Sequence, residues 1–276
     1  MSRRFVTVLF ALVAFAAAVA VPRAAAAQTV DAVLADFEPS GDWLLSIDGQ
    51  EKPKARIYYS KVARAILIRS ADFPSPVLLD VPGRAVQTLD LMKVAERTDG
   101  SIDVLADAAL QPSGALEVAG KEARFAVAGR KGVLTEAPNQ VGDRTGAQLL
   151  ASSAWYGYSA ARYAPDSATL GRLRAEKRDV RLLTFFGTWC PHCKEHLPHL
   201  LKVEQLLEGA GIEFDYYGLP PTRVADEPEA KKFGITGVPI GVVLVDGKEV
   251  GRISGSGWYS PERTLAQLLE APRPAS

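Results

Sequence analysis

The stretch FFGTWCPHCKEHLPHL, residues 185–200, contains both cysteines and all three histidines of the chain. The two cysteines, Cys190 and Cys193, are separated by two residues, and the histidines lie beside or just after them. Thiols and imidazoles change protonation state near neutral pH and bind soft metals. Three interpretations follow: a redox site, a metal site, or the packed start of a helix without chemistry.

The composition excludes several classes of protein. The chain of 276 residues is 47% hydrophobic and 23% charged, as in globular domains and unlike disordered tails or coiled coils. Its 32 Lys and Arg residues balance its 32 Asp and Glu residues. Because no basic excess is present to attract phosphates, we expect no nucleic-acid partner.

The first 27 residues have the pattern of a cleavable signal peptide. Arg3 and Arg4 precede an apolar run from Phe5 to Val21, and three alanines at 25–27 offer a small-x-small cleavage site. We predict export to the periplasm, removal of residues 1–27 and no stable membrane span in the mature chain. The alternative is an uncleaved segment that anchors the protein to the membrane.

The cysteine spacing argues for chemistry rather than for a structural disulfide. Disulfides of exported proteins mostly stabilise small domains, and in the loop-entropy account the stabilisation grows with the length of the closed loop. A bond between Cys190 and Cys193 closes a very short loop. Such a bond adds little stability, so a redox-active disulfide is the better interpretation.

Hydrophobic patterning divides the mature chain into two parts. Residues 28–140 contain short apolar or alternating runs broken by Gly, Pro and Asp, which predict a β-rich N-terminal domain of open role. Residues 141–276 predict an α/β domain that begins with helices over 146–177 and continues in the order β-α-β-α-β-β-α. The first of these helices is expected to end before Pro165 without a break, and the second to begin with Asp166 as its N-cap. Tyr156 on the first helix is expected to pack against the neighbouring domain, and Asp246-Gly247 to form the turn of the final hairpin. Residues 136–146 combine Pro, Gly and polar side chains and are the candidate linker.

The local sequence predicts different roles for the two thiols. The buried strand VRLLTFFGTW, residues 180–189, places Cys190 at the start of a helix, where unpaired N–H groups and the helix dipole favour a thiolate. His192 adds a positive charge or a donor beside this sulfur and tunes the thiolate. Cys193 lies one turn further and is more buried. Cys190 is therefore the candidate nucleophile and Cys193 the resolving thiol.

The motif and the predicted order of elements resemble the thioredoxin superfamily. FFGTWCPHCKEHLPHL is most similar to the exported TlpA/ResA-type thioredoxins, while the Pro-His pair between the cysteines is similar to the DsbA-type oxidants. Pro198 stands where this family kinks its active-site helix. The resemblance implies an α/β fold with a thioredoxin-like C-terminal domain, a central mixed sheet flanked by helices, preceded by the β-rich N-terminal domain.

The resemblance also implies residues that bind the substrate. Pro239 in the sequence GVP matches the cis-proline loop of the family. A cis bond there sets the backbone of Val238 against the cysteines, where the family binds an extended substrate. Trp189, directly before the first cysteine, matches the tryptophan of the motif and is the second candidate for substrate binding.

Two positions depart from the family pattern. Thioredoxin often has a buried carboxylate on the strand before the motif, and the matching position here is Thr184, which is not a base. The ResA-like pattern has a glutamate three residues after the second cysteine. His196 occupies that position, and Glu195 precedes it. Because one helical residue is a rotation of about 100°, Glu195 is expected to point elsewhere. Whether His196 replaces the acid stays open.

A metal site is the second interpretation of this segment. His192, His196 and His199 share one side of the predicted helix, and thiolate with imidazole suits zinc or copper. Three histidines in a stripe are too far apart to bind one ion together with both cysteines. We expect His196 and His199 to be half-exposed surface residues and predict no metal ligands. Copper handling through Cys190, Cys193 and a nearby histidine remains an alternative.

The sequence therefore predicts an exported thiol–disulfide oxidoreductase. Its substrates are protein thiols or disulfides, which react through a mixed disulfide at Cys190. No dissociable cofactor is expected, because the Cys190–Cys193 pair carries the electrons. The surroundings of the motif favour the reductive direction, with a membrane redox partner as electron donor. The alternatives are a DsbA-like disulfide oxidase, a copper-binding protein, and a non-catalytic interaction protein that works through its N-terminal domain.

Overall fold

The computed structural model describes residues 34–271. The predicted signal peptide, residues 1–27, lies outside the described residues. Within residues 34–271, no helix is both long enough and apolar enough to cross a membrane.

The N-terminal region is built from β-strands, which confirms the predicted β-rich character of this part. Most of its strands are short, and several of the turns between them contain residues with positive φ, such as Asp48 and Gly129. In chain order the strands are β1 (Leu34–Pro39), β2 (Trp43–Ile47), β3 (Gln50–Glu51), β4 (Arg56–Ser60), β5 (Ala65–Arg69), β6 (Val77–Asp80), β7 (Ala85–Thr88), β8 (Val94–Glu96), β9 (Ile102–Val104), β10 (Gln111–Ala115), β11 (Glu117–Ala119), β12 (Glu122–Val127) and β13 (Arg130–Glu136).

These strands form two antiparallel sheets that pack against each other. The larger sheet has the order β10-β7-β6-β5-β4-β1-β9-β8, and the smaller sheet has the order β11-β12-β13-β2-β3. Side chains such as Ile68 and Leu79 from the larger sheet meet Ile47 and Leu134 from the smaller one. One core of the N-terminal region therefore lies between the two sheets, because each sheet buries an apolar face against the other. A second buried cluster, which includes Leu67, lies on the opposite face of the larger sheet.

The C-terminal part contains a five-stranded mixed sheet with helices on both sides. The strands are β14 (Gly142–Arg144), β15 (Val180–Phe186), β16 (Ile212–Gly218), β17 (Ile240–Val245) and β18 (Lys248–Ile253), in the spatial order β14-β16-β15-β17-β18. The helices are α1 (Gly146–Ser152), α2 (Ala154–Arg162), α3 (Ser167–Arg174), α4 (Pro191–Leu206), α5 (Pro228–Phe233) and α6 (Pro261–Glu270). The predicted β-α-β-α-β-β-α order is confirmed from β15 to α6.

Strand β15 lies at the centre because both of its faces are apolar. Leu182 and Phe186 pack on one side of the sheet with α4, and Leu183 and Phe185 pack on the other side, toward α5. The strand pairs in parallel with β16 and antiparallel with β17. A strand that is covered on both faces has a continuous apolar sequence. The residues that follow the end of β15 lie at the start of α4.

One predicted helix is divided in the structure. The sequence from Gly146 to Tyr163 has helical spacing throughout, but the chain is extended at Ser153 (φ −147°, ψ 118°), which separates α1 from α2. The reason is tertiary packing. Gly41 of the N-terminal region lies so close that a Cβ on it would be 2.1 Å from Oγ of Ser153. The break in the helix makes room for this contact.

Candidate active site

Cys190 is the N-cap residue of α4 and has extended backbone angles (φ −87°, ψ 121°). Its N–H donates to the carbonyl of Gly187 at 3.0 Å, and its carbonyl accepts from the N–H of Lys194 at 3.1 Å. Pro191 occupies the first helical turn, where the absence of an N–H leaves no bond unmade. The tight turn after β15 thus places the Cys190 sulfur at the positive end of the helix.

The Cys190 side chain faces the loop before β17. Its Sγ lies 3.6 Å from the carbonyl oxygen of Val238, and the residue is 6% exposed. The peptide bond between Val238 and Pro239 is cis. The indole Nε1 of Trp258 donates to the carbonyl of Pro239 at 3.1 Å, and Trp258 itself is buried. This hydrogen bond ties the loop opposite the sulfur to the turn before α6.

Cys193 lies one helical turn after Cys190 and is completely buried. The N–H of Gly187 donates to its Sγ at 3.4 Å. Burial raises the pKa of the Cys193 thiol strongly, Cys190 raises it further, and the Gly187 hydrogen bond opposes the shift. Both cysteines are free thiols in this structure. Cys193 is therefore a neutral thiol that is closed to solvent and lies beside Cys190.

Trp189 is fixed on the loop that carries Cys190. Its Nε1 donates to the carbonyl of Leu219 at 2.8 Å, and its ring packs over Gly187. A Cβ at position 187 would lie 2.5 Å from the indole, so only glycine permits this ring position. The tryptophan remains partly exposed beside the nucleophile.

The three histidines occupy different environments, and one expectation about them was wrong. His192 is exposed, as its place in the first turn requires, but His196 is only 4% exposed instead of half-exposed. The reason is tertiary: the ring of Tyr259 packs edge-on at 4.8 Å between centroids. His199 is half-buried and stacks on Tyr163 at 4.1 Å. Burial lowers the pKa of both His196 and His199.

A group of three residues in the first turns of α4 has the side chains of a metal site. Ligand atoms of His192, Glu195 and His196 all lie within 4.8 Å of one another. Glu195 is exposed, and its Oε2 is 3.8 Å from Nε2 of His196. Two imidazoles and a carboxylate suit zinc or copper. Neither cysteine belongs to this group.

Two buried residues near the thiols were not assigned a function by the sequence. Thr184 lies under α4 with an Oγ1 that has no hydrogen-bond partner among the described residues. Tyr156, expected to pack against the other domain, belongs to the apolar cluster that contains both cysteines. Burial and the nearby Cys193 raise the pKa of Tyr156, so its phenol stays neutral. No sequence motif marks this tyrosine, because α2 reaches the site only in the folded chain.

The N-terminal region contacts the loop and helix that carry the cysteines. Asp42, between β1 and β2, accepts from Nζ of Lys194 at 2.6 Å. The Thr188 hydroxyl donates to Oδ1 of Asn139 at 3.1 Å and accepts from the N–H of Gln140 at 3.3 Å. Thr188, two residues before Cys190, and Lys194, directly after Cys193, are thus both bonded to the part of the chain that precedes β14.

Comparisons with known proteins concern the C-terminal part. Residues 171–271 match the family model described as Thioredoxin. Thioredoxins of Staphylococcus aureus (strain N315) and Staphylococcus haemolyticus (strain JCSC1435) are each 29% identical over 93 residues, which is 33% of this chain and 80% of theirs.

Solved structures include Fasciola hepatica thioredoxin, which is 29% identical with a TM-score of 0.27 and covers 37% of this chain and 92% of its own. A Pseudomonas aeruginosa protein of unknown function is 19% identical with a TM-score of 0.33, over 42% of this chain and 80% of its own. The family match, together with the strand order and the cysteine pair at the start of α4, makes the C-terminal part of this chain a thioredoxin-like domain.

Proposed function

We propose that this protein is an exported thiol–disulfide oxidoreductase that reduces disulfides in protein substrates. The thioredoxin-like domain supports activity of this general kind. The observation that carries the proposal is the arrangement of the two thiols: Cys190 at the helix N-terminus, 3.6 Å from the Val238 carbonyl, with Cys193 completely buried behind it. In this arrangement the Cys190 sulfur reacts with the substrate first, and the Cys193 sulfur reacts only in the second step.

The reaction transfers two electrons in two exchange steps. The Cys190 thiolate attacks one sulfur of the substrate disulfide, a new S–S bond forms, and the other substrate sulfur leaves as a thiolate. Cys193 then gives its proton to the substrate thiolate released in the first step and attacks Sγ of Cys190. The mixed disulfide breaks, the second substrate thiolate leaves, and the Cys190–Cys193 disulfide remains. The raised pKa of Cys193 keeps this thiol protonated until the mixed disulfide has formed.

The reductive direction is part of the proposal. Between β16 and β17 the chain carries only the 3-10 turn Val224–Asp226 and the short helix α5, whereas the DsbA-type oxidants have a long helical insertion there. A reductant needs its own source of electrons, and we assign this role to a membrane redox partner. The disulfide oxidase remains the alternative, because the Pro-His pair between the cysteines is similar to that of the DsbA type.

The reduction potential of the Cys190–Cys193 pair tests the proposal. The mature protein is equilibrated with thiol buffers, and the reduced fraction is measured by alkylation. A potential of about −270 mV, as in thioredoxin, supports a reductant, and one of about −120 mV, as in DsbA, makes it an oxidant. A pair that forms no reversible disulfide refutes both. A Cys193→Ser variant should accumulate the mixed disulfide, and a Cys190→Ser variant should not.

Metal handling is a second candidate function, favoured by the group of His192, Glu195 and His196. Purification without chelator followed by metal analysis tests it. Copper or zinc that is lost in a Cys190→Ala variant indicates thiolate ligands, whereas metal that is lost in His192→Ala indicates the imidazole–carboxylate group. A wild-type protein that contains neither copper nor zinc after this purification refutes the candidate.

A further inference from the structure

A large cleft lies between the N-terminal region and the elements that carry the cysteines. Its volume is about 890 Å³, near the upper end of the range for sites that hold small ligands or several side chains. One wall comes from strands of the two N-terminal sheets, and the other wall from α2 and from the loop before α4. We call this space the interdomain cleft and define it by Trp43, Leu44, Tyr59, Val118, Trp155, Tyr156 and Trp189.

The walls of the cleft expose apolar side chains that a folded protein normally buries. Leu44 on β2 is 43% exposed and Val118 on β11 is 41% exposed. Trp43 and Tyr59 meet edge-on beside them, with ring centroids 5.7 Å apart. Contiguous apolar surface of this kind marks a binding site, because covering it removes apolar area from water.

Charged side chains lie around the cleft and are mostly paired with each other. Nζ of Lys121 is 2.5 Å from Oε2 of Glu136, and Nζ of Lys194 is 2.6 Å from Oδ1 of Asp42. The lining also contains Arg64 and Glu122, so three positive and three negative side chains face the cleft. The occupant is therefore selected by apolar side chains and not by its net charge, since paired charges exert little net field on a ligand.

The cleft adjoins the loop and helix that carry the cysteines, although neither cysteine lines it. Trp189 lines the cleft and is the residue directly before Cys190. Tyr156 lines the same cleft and packs in the cluster that contains both Cys190 and Cys193. Residues a few positions away from a substrate cysteine joined to Cys190 therefore come within reach of the cleft, past Trp189.

We propose that the interdomain cleft binds the segment of the substrate polypeptide that flanks the reacting cysteine. The preferred segment is extended and carries aromatic or branched apolar side chains. This inference rests on the proposed function and assigns a role to the N-terminal region: it supplies the wall that recognises the substrate. A folded substrate surface does not enter such a cleft, so unfolded or loosely structured segments are selected.

The test uses the Cys193→Ser variant with Cys190 converted to its mixed disulfide with thionitrobenzoate. A peptide thiol attacks Sγ of Cys190, joins it, and releases coloured thionitrobenzoate, so the second-order rate constant is read directly. Two peptides are compared, each with one central cysteine: one carries phenylalanines on both sides, and the other carries serines at the same positions. Glutathione serves as a thiol that is too small to reach the cleft.

We expect the phenylalanine peptide to react roughly tenfold faster than the serine peptide, the ratio given by burying one large apolar side chain. Leu44→Arg and Val118→Arg should abolish this preference and leave the glutathione rate unchanged. Val62→Arg is the matched control, because Val62 is 79% exposed on the N-terminal region and does not line the cleft. It should keep the preference.

Equal rates for the two peptides, or equal effects of Val118→Arg and Val62→Arg, would overturn the proposal. The peptide comparison needs no cleft variant, so it decides the matter even if an arginine variant fails to fold. Failure of the proposed function is visible separately, since Cys190 would then form no mixed disulfide with thionitrobenzoate or glutathione would not displace it.

Discussion

The indole of Trp258 connects the turn before α6 to the loop that faces the nucleophilic sulfur. It is 1% exposed, and its Nε1 donates to the carbonyl of Pro239 at 3.1 Å. A Trp258→Phe substitution keeps an aromatic ring but removes this donor. We expect the C-terminal domain to lose stability and the exchange reaction at Cys190 to slow, because the loop opposite the sulfur is no longer held.

Two contributions determine how much unfolding free energy the Trp258→Phe variant loses. Losing a hydrogen bond and leaving a carbonyl without its partner costs about 1–3 kcal/mol. The cavity left by the smaller ring adds about 1 kcal/mol. The free energy of unfolding should therefore fall by about 2–4 kcal/mol, measured by guanidinium titration with circular dichroism.

Trp43→Phe is the matched control, since Trp43 is half-buried in the N-terminal region and no described residue accepts from its indole. It should cost less than about 1 kcal/mol. A loss below about 0.5 kcal/mol for Trp258→Phe, or one equal to that of the control, refutes the view that this indole holds the loop.

Three further predictions follow from buried contacts. Gly41→Val should weaken the packing between the two parts of the chain by about 1–3 kcal/mol, because its Cβ would lie 2.1 Å from Oγ of Ser153; limited proteolysis should reveal a more accessible junction, and an unchanged cleavage rate would contradict this. Burial lowers the pKa of His196, so its stability contribution is present above about pH 6.5 and is lost as the pH falls. His196→Gln should therefore flatten the decline in unfolding free energy between pH 7.5 and 5.5, and an unchanged decline would contradict this. Burial raises the pKa of Glu204, so the wild type should gain stability on acidification from this group and Glu204→Gln should lack that gain; equal pH slopes for both proteins would refute the assignment.

Local chemistry explains which parts of the fold the sequence predicts. Asp166 was predicted as an N-cap, and its Oδ1 accepts from the N–H of Thr169 at 2.7 Å. The Asp246-Gly247 pair was predicted as a hairpin turn, and both residues have positive φ where β17 passes into β18. Each feature depends on neighbours within a few residues, so propensity and spacing are sufficient to find it.

Features that join distant segments could not be predicted in this way. The break at Ser153 depends on Gly41, and the burial of His196 depends on Tyr259. Helical spacing alone gave one helix and a half-exposed histidine, since it carries no information about what packs against the helix. The approach of Tyr156 to the cysteine pair has the same origin.

The sequence by itself determined the two chemical groups and their setting: a Cys-x-x-Cys pair at the junction of a buried strand and a helix, within a thioredoxin-like order of elements. Strand periodicity, Pro191 and the spacing of the two cysteines are local properties that the sequence contains directly. Only the tertiary structure decided what surrounds them. The cleft between the N-terminal sheets and Trp189 exists because segments far apart in the chain pack side by side, and such long-range packing depends on the shapes of both surfaces together.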